Sequence, residues 1–179
     1  ALRAEIIREK GTNRSRFFRG EVDKYTWQEV GSSFLPGELV AAFLWAQLED
    51  ADQITERRLA TWQRYDEALK PLEARGLLRC PIVPQDCQHN AHMYYVLVSP
   101  GMNRQAVLDE FRRSDIGAVF HYVPLHSSVG GQRYGRAHGD LAVTESISER
   151  LIRLPLWTGM TQLQQNKVVD TLNRALISA

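Results

Sequence analysis

The sequence predicts an α/β chain in which a small domain of strands and helices is joined by one long helix to a loop-rich opening segment. Three observations carry that expectation. Between Gly31 and Leu69, residues such as Leu39, Phe43, Leu44, Leu48, Leu59, Trp62, Tyr65 and Leu69 recur at helical spacing. From Met93 to Val98 the chain is continuously apolar or aromatic, as in a core strand, and the turn signal Ser99, Pro100, Gly101 closes it. After that strand, helical and extended patterns alternate to the end.

The long helix has a start and a stop. Pro36 suits a first helical turn, where the missing N–H costs nothing, and Pro71 followed by Gly76 predicts the end. At 1.5 Å per residue such a helix runs to roughly 50 Å, longer than a domain of this size is wide. It is therefore expected to link two bodies, with a bend near Asp50 to Asp52. The expected divisions are residues 1–36, a tail and ligand loop; 37–70, the helix; and 71–179, a small α/β domain.

Before the helix, Leu2, Ile6 and Ile7 share a helical face that ends at Lys10 and Gly11. With no initiator Met, this reads as the back end of a helix begun upstream, so a piece of a longer protein is expected. Residues 11–35 lack periodicity and read as a long functional loop. After the helix, strands are expected over Leu77–Val83 and Met93–Val98. Asn103 should cap a helix to Arg113 with Val107, Leu108 and Phe111 inward. Gly117 opens a third short strand into Phe120, Thr144–Leu151 is a short helix and Ile152–Leu154 a brief strand. Thr161 with Gln164 forms a capping box for a last helix through Leu176.

Composition narrows the function classes. With 179 residues, 44% hydrophobic and 24% charged, the chain can bury a real core. A formal net charge of +1 argues against coating nucleic acid, though a local basic patch can still bind a phosphate. Cys80 and Cys87 form no CxxC pair and read as thiols in a reducing compartment, so a cytoplasmic location is expected. Neither a membrane span nor a signal peptide is legible.

Two clusters could carry chemistry. In the loop, Arg14, Arg16, Arg19 and Lys24 are interleaved with Phe17, Phe18, Tyr25 and Trp27. Guanidinium forks pair with phosphate oxygens and flat rings stack on a base, so the pattern fits a nucleoside diphosphate; a solvated basic loop over packed rings fits it equally. The second cluster is HYVPLH, with His121, Tyr122 and His126, placed after an expected strand and before the glycine-containing loop 127–139. Two histidines five apart on an extended segment are poor metal geometry, and His89 and His92 read as loop polarity before a strand, so no metal is expected.

The segment GSSFLPGELVAA from Gly31 resembles the Gly-x-Asn-x-Arg-Met-x-Glu-x-x-Ala-Ala segment of the DegT/DnrJ/EryC1/StrS sugar aminotransferases, with Glu38, Ala41 and Ala42 in place. The run GTNRSRFFRGEVDKYTW, Gly11 to Trp27, resembles the branch of that family that aminates 4-keto sugar nucleotides. Essentially the whole chain is similar to the C-terminal half of such enzymes. That resemblance implies the small domain, bridging helix and large-domain tail of a fold-type I transferase. It also implies pyridoxal 5'-phosphate (PLP) as cofactor, L-glutamate as amino donor, dTDP-4-keto-6-deoxyglucose as acceptor, and a homodimer with sites formed between subunits.

By the same resemblance, Arg14, Arg16, Arg19, Tyr25, Trp27, His121, Tyr122 and His126 are expected substrate contacts. Ser33 stands where relatives have an Asn that reaches the cofactor phosphate of the other subunit; read from the residue alone it can equally be a helix-capping serine. Leu35 replaces the family's Arg, so any contact from that position is not ionic. The Schiff-base lysine of such enzymes also moves the proton of the reaction. None of Lys10, Lys24, Lys70 and Lys167 lies in a Ser-x-His-x-x-Lys segment. The lysine and the carboxylate facing the pyridine nitrogen are expected upstream, and this chain alone is expected to be inactive. A cofactor-free nucleotide-sugar binding module and a PLP-dependent sugar dehydratase remain open at this stage.

Overall fold

The structure, a computed structural model, describes residues 1–178. It divides into two compact units, Ala1–Ala51 and Asp52 onward.

In the first unit, α1 (Leu2–Arg8) ends in two successive left-handed residues, Lys10 at φ 62° and Gly11 at φ 75°. The next stretch, expected to be irregular, contains a one-turn helix, α2 (Arg14–Phe18). Its start is held by the carboxylate of Glu9, which accepts from the Ser15 N–H at 3.0 Å and from the Ser15 hydroxyl. Two antiparallel bridges, Glu9 with Ser33 and Thr12 with Trp27, fold the loop back on itself. α3 (Glu38–Glu49) follows and ends at Asp50, where φ −100° and ψ 9° interrupt the helical run. No α3 residue is buried: Leu39, Phe43 and Trp45 are 88%, 73% and 67% exposed.

The second unit begins with α4 (Ala51–Ala74), which buries Thr61, Tyr65, Leu69 and Leu72. Pro71, expected to stop this helix, lies inside it. A proline near the C-terminal end costs its own missing N–H and a clash with one carbonyl, a penalty that burial of Leu69 and Leu72 can offset. The true stop is Gly76, at φ 72°: Gly76 N–H donates to the Glu73 carbonyl (2.8 Å) and Leu77 N–H to that of Leu72 (3.1 Å), a Schellman cap.

Three antiparallel strands form the sheet in the order β1 (Leu78–Arg79), β2 (Tyr94–Val98), β3 (Leu151–Leu154). Val98 pairs with Leu78, and Tyr94 and Val96 pair with Leu154 and Ile152. These residues share one face by strand alternation and are all buried. β1 is far shorter than expected. Cys80 N–H donates to the Glu73 carboxylate (2.7 Å) and not to a strand, and Pro81 has no N–H to give. The third strand expected at 117–120 reduces to a single bridge between Val119 and Arg153. Just before the bridge, Asp115 at φ 55° and the Ala118 N–H turned onto the Ile116 carbonyl (3.0 Å) keep the chain from running extended along the edge.

The core lies where α4, α5 (Arg104–Arg113) and α8 (Gln162–Ser178) meet this sheet face. It includes Tyr65, Leu69, Val107, Phe111, Val168 and Leu172. Both helix starts are those the sequence predicts: Asn103 Oδ1 accepts from Ala106 N–H (3.2 Å), and Thr161 and Gln164 exchange reciprocal bonds of 2.9 and 3.2 Å. Thr161→Ala should cost about 1 kcal/mol of stability, read as a lowered urea midpoint at unchanged slope. Two polar side chains in this core are paired: Gln165 accepts from Arg64 Nε and donates to the Thr61 carbonyl, each at 2.8 Å, and the Tyr65 hydroxyl donates to the Pro155 carbonyl at 2.9 Å. The remaining helices are α6 (Val129–Tyr134), in a stretch expected to be loop, and α7 (Ala142–Arg150).

Candidate functional site

The first unit closes around a cavity of 460 Å³, and its walls are set by backbone packing. Gln28 and Glu29 N–H both donate to the Gly11 carbonyl (2.7 and 3.1 Å), Ser32 N–H to Ile7 (2.9 Å) and Lys10 N–H to Ser32 (3.2 Å). Gly11 and Gly31 make this approach possible. A Cβ on Gly31 would lie 2.2 Å from the Gly11 nitrogen, and one on Gly11 would lie 1.6 Å from the Glu29 oxygen. The result places Ser33 against the end of α1.

The cavity is lined by Arg8, Lys10 and Arg14, the hydroxyl residues Thr12 and Ser33, the apolar Phe18, Tyr25 and Leu35, and the carboxylates of Glu9 and Glu38. Glu9 is engaged with Ser15 and with Arg8, 3.9 Å away, and the Thr12 hydroxyl donates to the Glu9 carbonyl (2.8 Å). Among the described residues neither Lys10 nor Arg14 pairs with a carboxylate. Arg14 instead lies over the rings of Phe18 (5.2 Å) and Tyr25 (5.9 Å), which orient its guanidinium without neutralising it. Two uncommitted cations beside a free serine hydroxyl can hold a phosphate or diphosphate.

Of the residues singled out in the sequence, Arg14, Tyr25 and Ser33 thus share one cavity. Arg16, Arg19 and Trp27 do not line it. Arg19 is bidentate to Glu5 (2.6 and 3.0 Å) and also donates to Glu21 (2.6 Å), and Arg16 donates to Glu21 at 3.1 Å. Those bonds hold the Glu5 and Glu21 carboxyls below the ordinary carboxylate range and push Arg19 up. Depressed carboxylate pKa values stabilise above the unfolded-state range and lose that contribution as pH falls through the folded value; here the groups are exposed and salt screens them. Trp27 is 72% exposed.

Within the second unit, His121, Tyr122 and His126 are not gathered into one cavity. Tyr122 is exposed, with its ring edge-on to His121 (5.1 Å), and among the described residues the buried His121 Nδ1 has no partner. His126 alone of the three lines a 750 Å³ cavity, together with Gln132, Arg136 and His138, and its Nε2 lies 2.8 Å from Glu145 Oε1.

Sequence reasoning did not single out Arg8 or Lys10, which the end of α1 delivers, nor Arg136, His138 and Glu145. Lys10, Arg136 and His138 each adjoin a glycine, and Arg8 and Glu145 carry no such signal. Among the described residues no group of three or more His, Cys, Asp or Glu is placed to hold a metal, and no helix is long and apolar enough to cross a membrane. His89 packs edge-on to Trp62 (4.7 Å), and burial pushes the Cys80 thiol up, away from thiolate chemistry.

Residues 1–173 match the model of the DegT/DnrJ/EryC1/StrS aminotransferase family. The chain is 26% identical over 169 residues to the dTDP-3-amino-3,4,6-trideoxy-alpha-D-glucose transaminase of Micromonospora megalomicea, covering 93% of this chain and 44% of that protein. Its fold is shared by Helicobacter pylori PseC, an aminotransferase of pseudaminic acid biosynthesis, with a TM-score of 0.82, 18% identity, and coverage of 98% and 45%. A sugar aminotransferase from Streptococcus pneumoniae, in its PMP form, gives 0.81 at 17% identity, with coverage of 97% and 44%. The chain therefore spans less than half the length of the curated relatives it matches, and the fold is that of fold-type I sugar aminotransferases.

Proposed function

We propose, since the chain belongs to the DegT/DnrJ/EryC1/StrS aminotransferase family, that the protein it forms part of is a PLP-dependent sugar-nucleotide aminotransferase. The reaction proposed moves an amino group from L-glutamate to the 4-keto carbon of dTDP-4-keto-6-deoxyglucose. The product would be dTDP-4-amino-4,6-dideoxygalactose, the amino sugar nucleotide used for enterobacterial common antigen. The observation that supports this reading is the meeting of Ser33, Lys10, Arg14 and Tyr25 around one 460 Å³ cavity.

The residues present fit a phosphate-bearing cofactor and substrate. Ser33 would donate its hydroxyl to the cofactor phosphate, with Lys10 adding charge. Arg14, held by two rings, would take the diphosphate of the sugar nucleotide, with the Tyr25 face excluding water. When bound, PLP supplies the electron sink for amino transfer. In the homodimer proposed, Ser33 acts on the site of the other subunit. His121, Tyr122 and His126 are proposed as substrate contacts, and the Schiff-base lysine is not among the residues of this chain, which alone would not transaminate.

Mixing the longer protein with PLP should shift the cofactor absorbance, L-glutamate should shift it again, and the keto sugar should restore it. Absence of any spectral change would overturn the reading. Arg14→Ala should weaken dTDP-sugar binding about ten- to a hundredfold, the loss of one charged hydrogen-bonding group. Arg16→Ala, whose partner is Glu21, should change it less than about twofold; calorimetric titration of both variants separates them.

A further inference from the structure

We propose that Arg153, on the face of the sheet turned away from the core, is a binding site for a small carboxylate, which it takes side-on through Nε–H and one Nη–H. The site is read from the second unit alone; that its carboxylate belongs to the L-glutamate amino donor rests on the aminotransferase reading.

Arg153 is placed by the sheet. In β3 it alternates with Ile152 and Leu154, both buried in the core, so its side chain leaves from the opposite face. Tyr95 of β2 is its ladder partner on one side. On the other, the Arg153 N–H donates to the Val119 carbonyl (2.7 Å) and the Arg153 carbonyl accepts from Val119 N–H (3.1 Å). The Cα that carries the guanidinium is thus held from both edges, and the fork is presented from a strand and not from a loop.

The guanidinium is left unmet. Its Nε is buried without a hydrogen-bond partner, and among the described residues the side chain forms no ion pair. Other arginines with part-buried donors are satisfied: Arg58 Nε donates to the Ala91 carbonyl (3.1 Å) and Arg64 Nε to Gln165 (2.8 Å). His121 Nδ1 and Asn173 Oδ1 are also buried and unpartnered, but neither belongs to a group of fixed charge. A charged donor taken out of water and left unpaired is costly, whereas an acceptor that arrives with a ligand turns that cost into affinity.

Shape and charge select the ligand. Because Nε–H is among the free donors, the edge offered is the one made by Nε and Nη, whose two parallel N–H groups match the two oxygens of a carboxylate. The neighbours on this face, Leu151, Tyr95 and Val119, are uncharged. A carboxylate therefore leaves a neutral pair, while a phosphate dianion would keep an excess negative charge in a half-buried setting. In the reaction proposed above, L-glutamate brings a group of this kind that no other residue of the chain has been given.

The test uses the longer protein and glutarate, which has the carboxylates of L-glutamate and no amine to react. Glutarate should shift the ¹⁵Nε signal of Arg153, assigned by its loss in Arg153→Lys, in a saturable way, and inorganic phosphate at the same concentration should not. Arg153→Lys keeps the charge and loses the fork, so glutarate binding by calorimetry should weaken about tenfold or more. The KM for L-glutamate should rise by a similar factor, with the KM for the keto sugar changed less than about twofold. An Nε signal that glutarate leaves unmoved, or that phosphate moves as far, would rule out the carboxylate site. Saturable glutarate binding with an unchanged KM for L-glutamate would remove the donor assignment alone. Failure of the aminotransferase reading would show separately, as a cofactor spectrum that never changes while the glutarate shift persists.

Discussion

Replacing Gly31 with alanine is expected to collapse the cavity around Ser33. The new Cβ would sit 2.2 Å from the Gly11 nitrogen, 2.6 Å from the Ile7 oxygen and 2.7 Å from the Gly11 Cα. All three are backbone atoms, so no flexible side chain can yield, and the end of α1 must separate from residues 31–33. Overpacking of this kind costs about 1–3 kcal/mol. The larger effect is on binding, because the bonds between Ile7, Lys10 and Ser32 that hold Ser33 beside the cations would be lost with it. In the longer protein, PLP affinity read by absorbance titration should fall about tenfold or more. Wild-type affinity in Gly31→Ala would mean that this backbone contact does not shape the cavity.

Phe111→Ala is expected to lower the stability of the second unit by about 3–5 kcal/mol. The side chain is fully buried on α5, in the cluster shared by α8 and the β2–β3 face. A loss of that size is a large share of the 5–15 kcal/mol typical of a domain, so the variant should unfold at much lower urea concentration. Phe111→Leu, which keeps most of the volume, should cost far less. Similar midpoints for the two variants would place Phe111 outside the load-carrying packing of the unit.

Legibility in the sequence followed how local each signal was. The starts of α5 and α8 were readable because the capping side chains, Asn103, Thr161 and Gln164, lie within three residues of the N–H groups they satisfy. β2 was readable because four of its five residues, Tyr94, Val96, Leu97 and Val98, are buried and make a continuous apolar run. α2 was missed because the Ser15 N–H in its first turn is met by Glu9, which precedes the helix by a loop, and α6 because two glycines and a tyrosine carry no helical pattern. The length of β1 depended on where the Cys80 N–H went, a choice made by a glutamate on α4.

The loop arginines show the same limit at the site. Arg14, Arg16 and Arg19 are alike in composition and spacing, yet the fold pairs two of them with Glu5 and Glu21 and leaves the third uncommitted over two rings. The sequence by itself determined the helical starts, the central strand, the glycines that permit close backbone approach, and the family to which the chain belongs. Each of these is written in neighbouring residues or in a linear motif. Which arginine remains free, that Lys10 joins it, and that Glu145 meets His126 were decided only by tertiary structure, because the energy of a charge depends on which opposite charge lies within a few ångströms, and distance along the chain does not fix that.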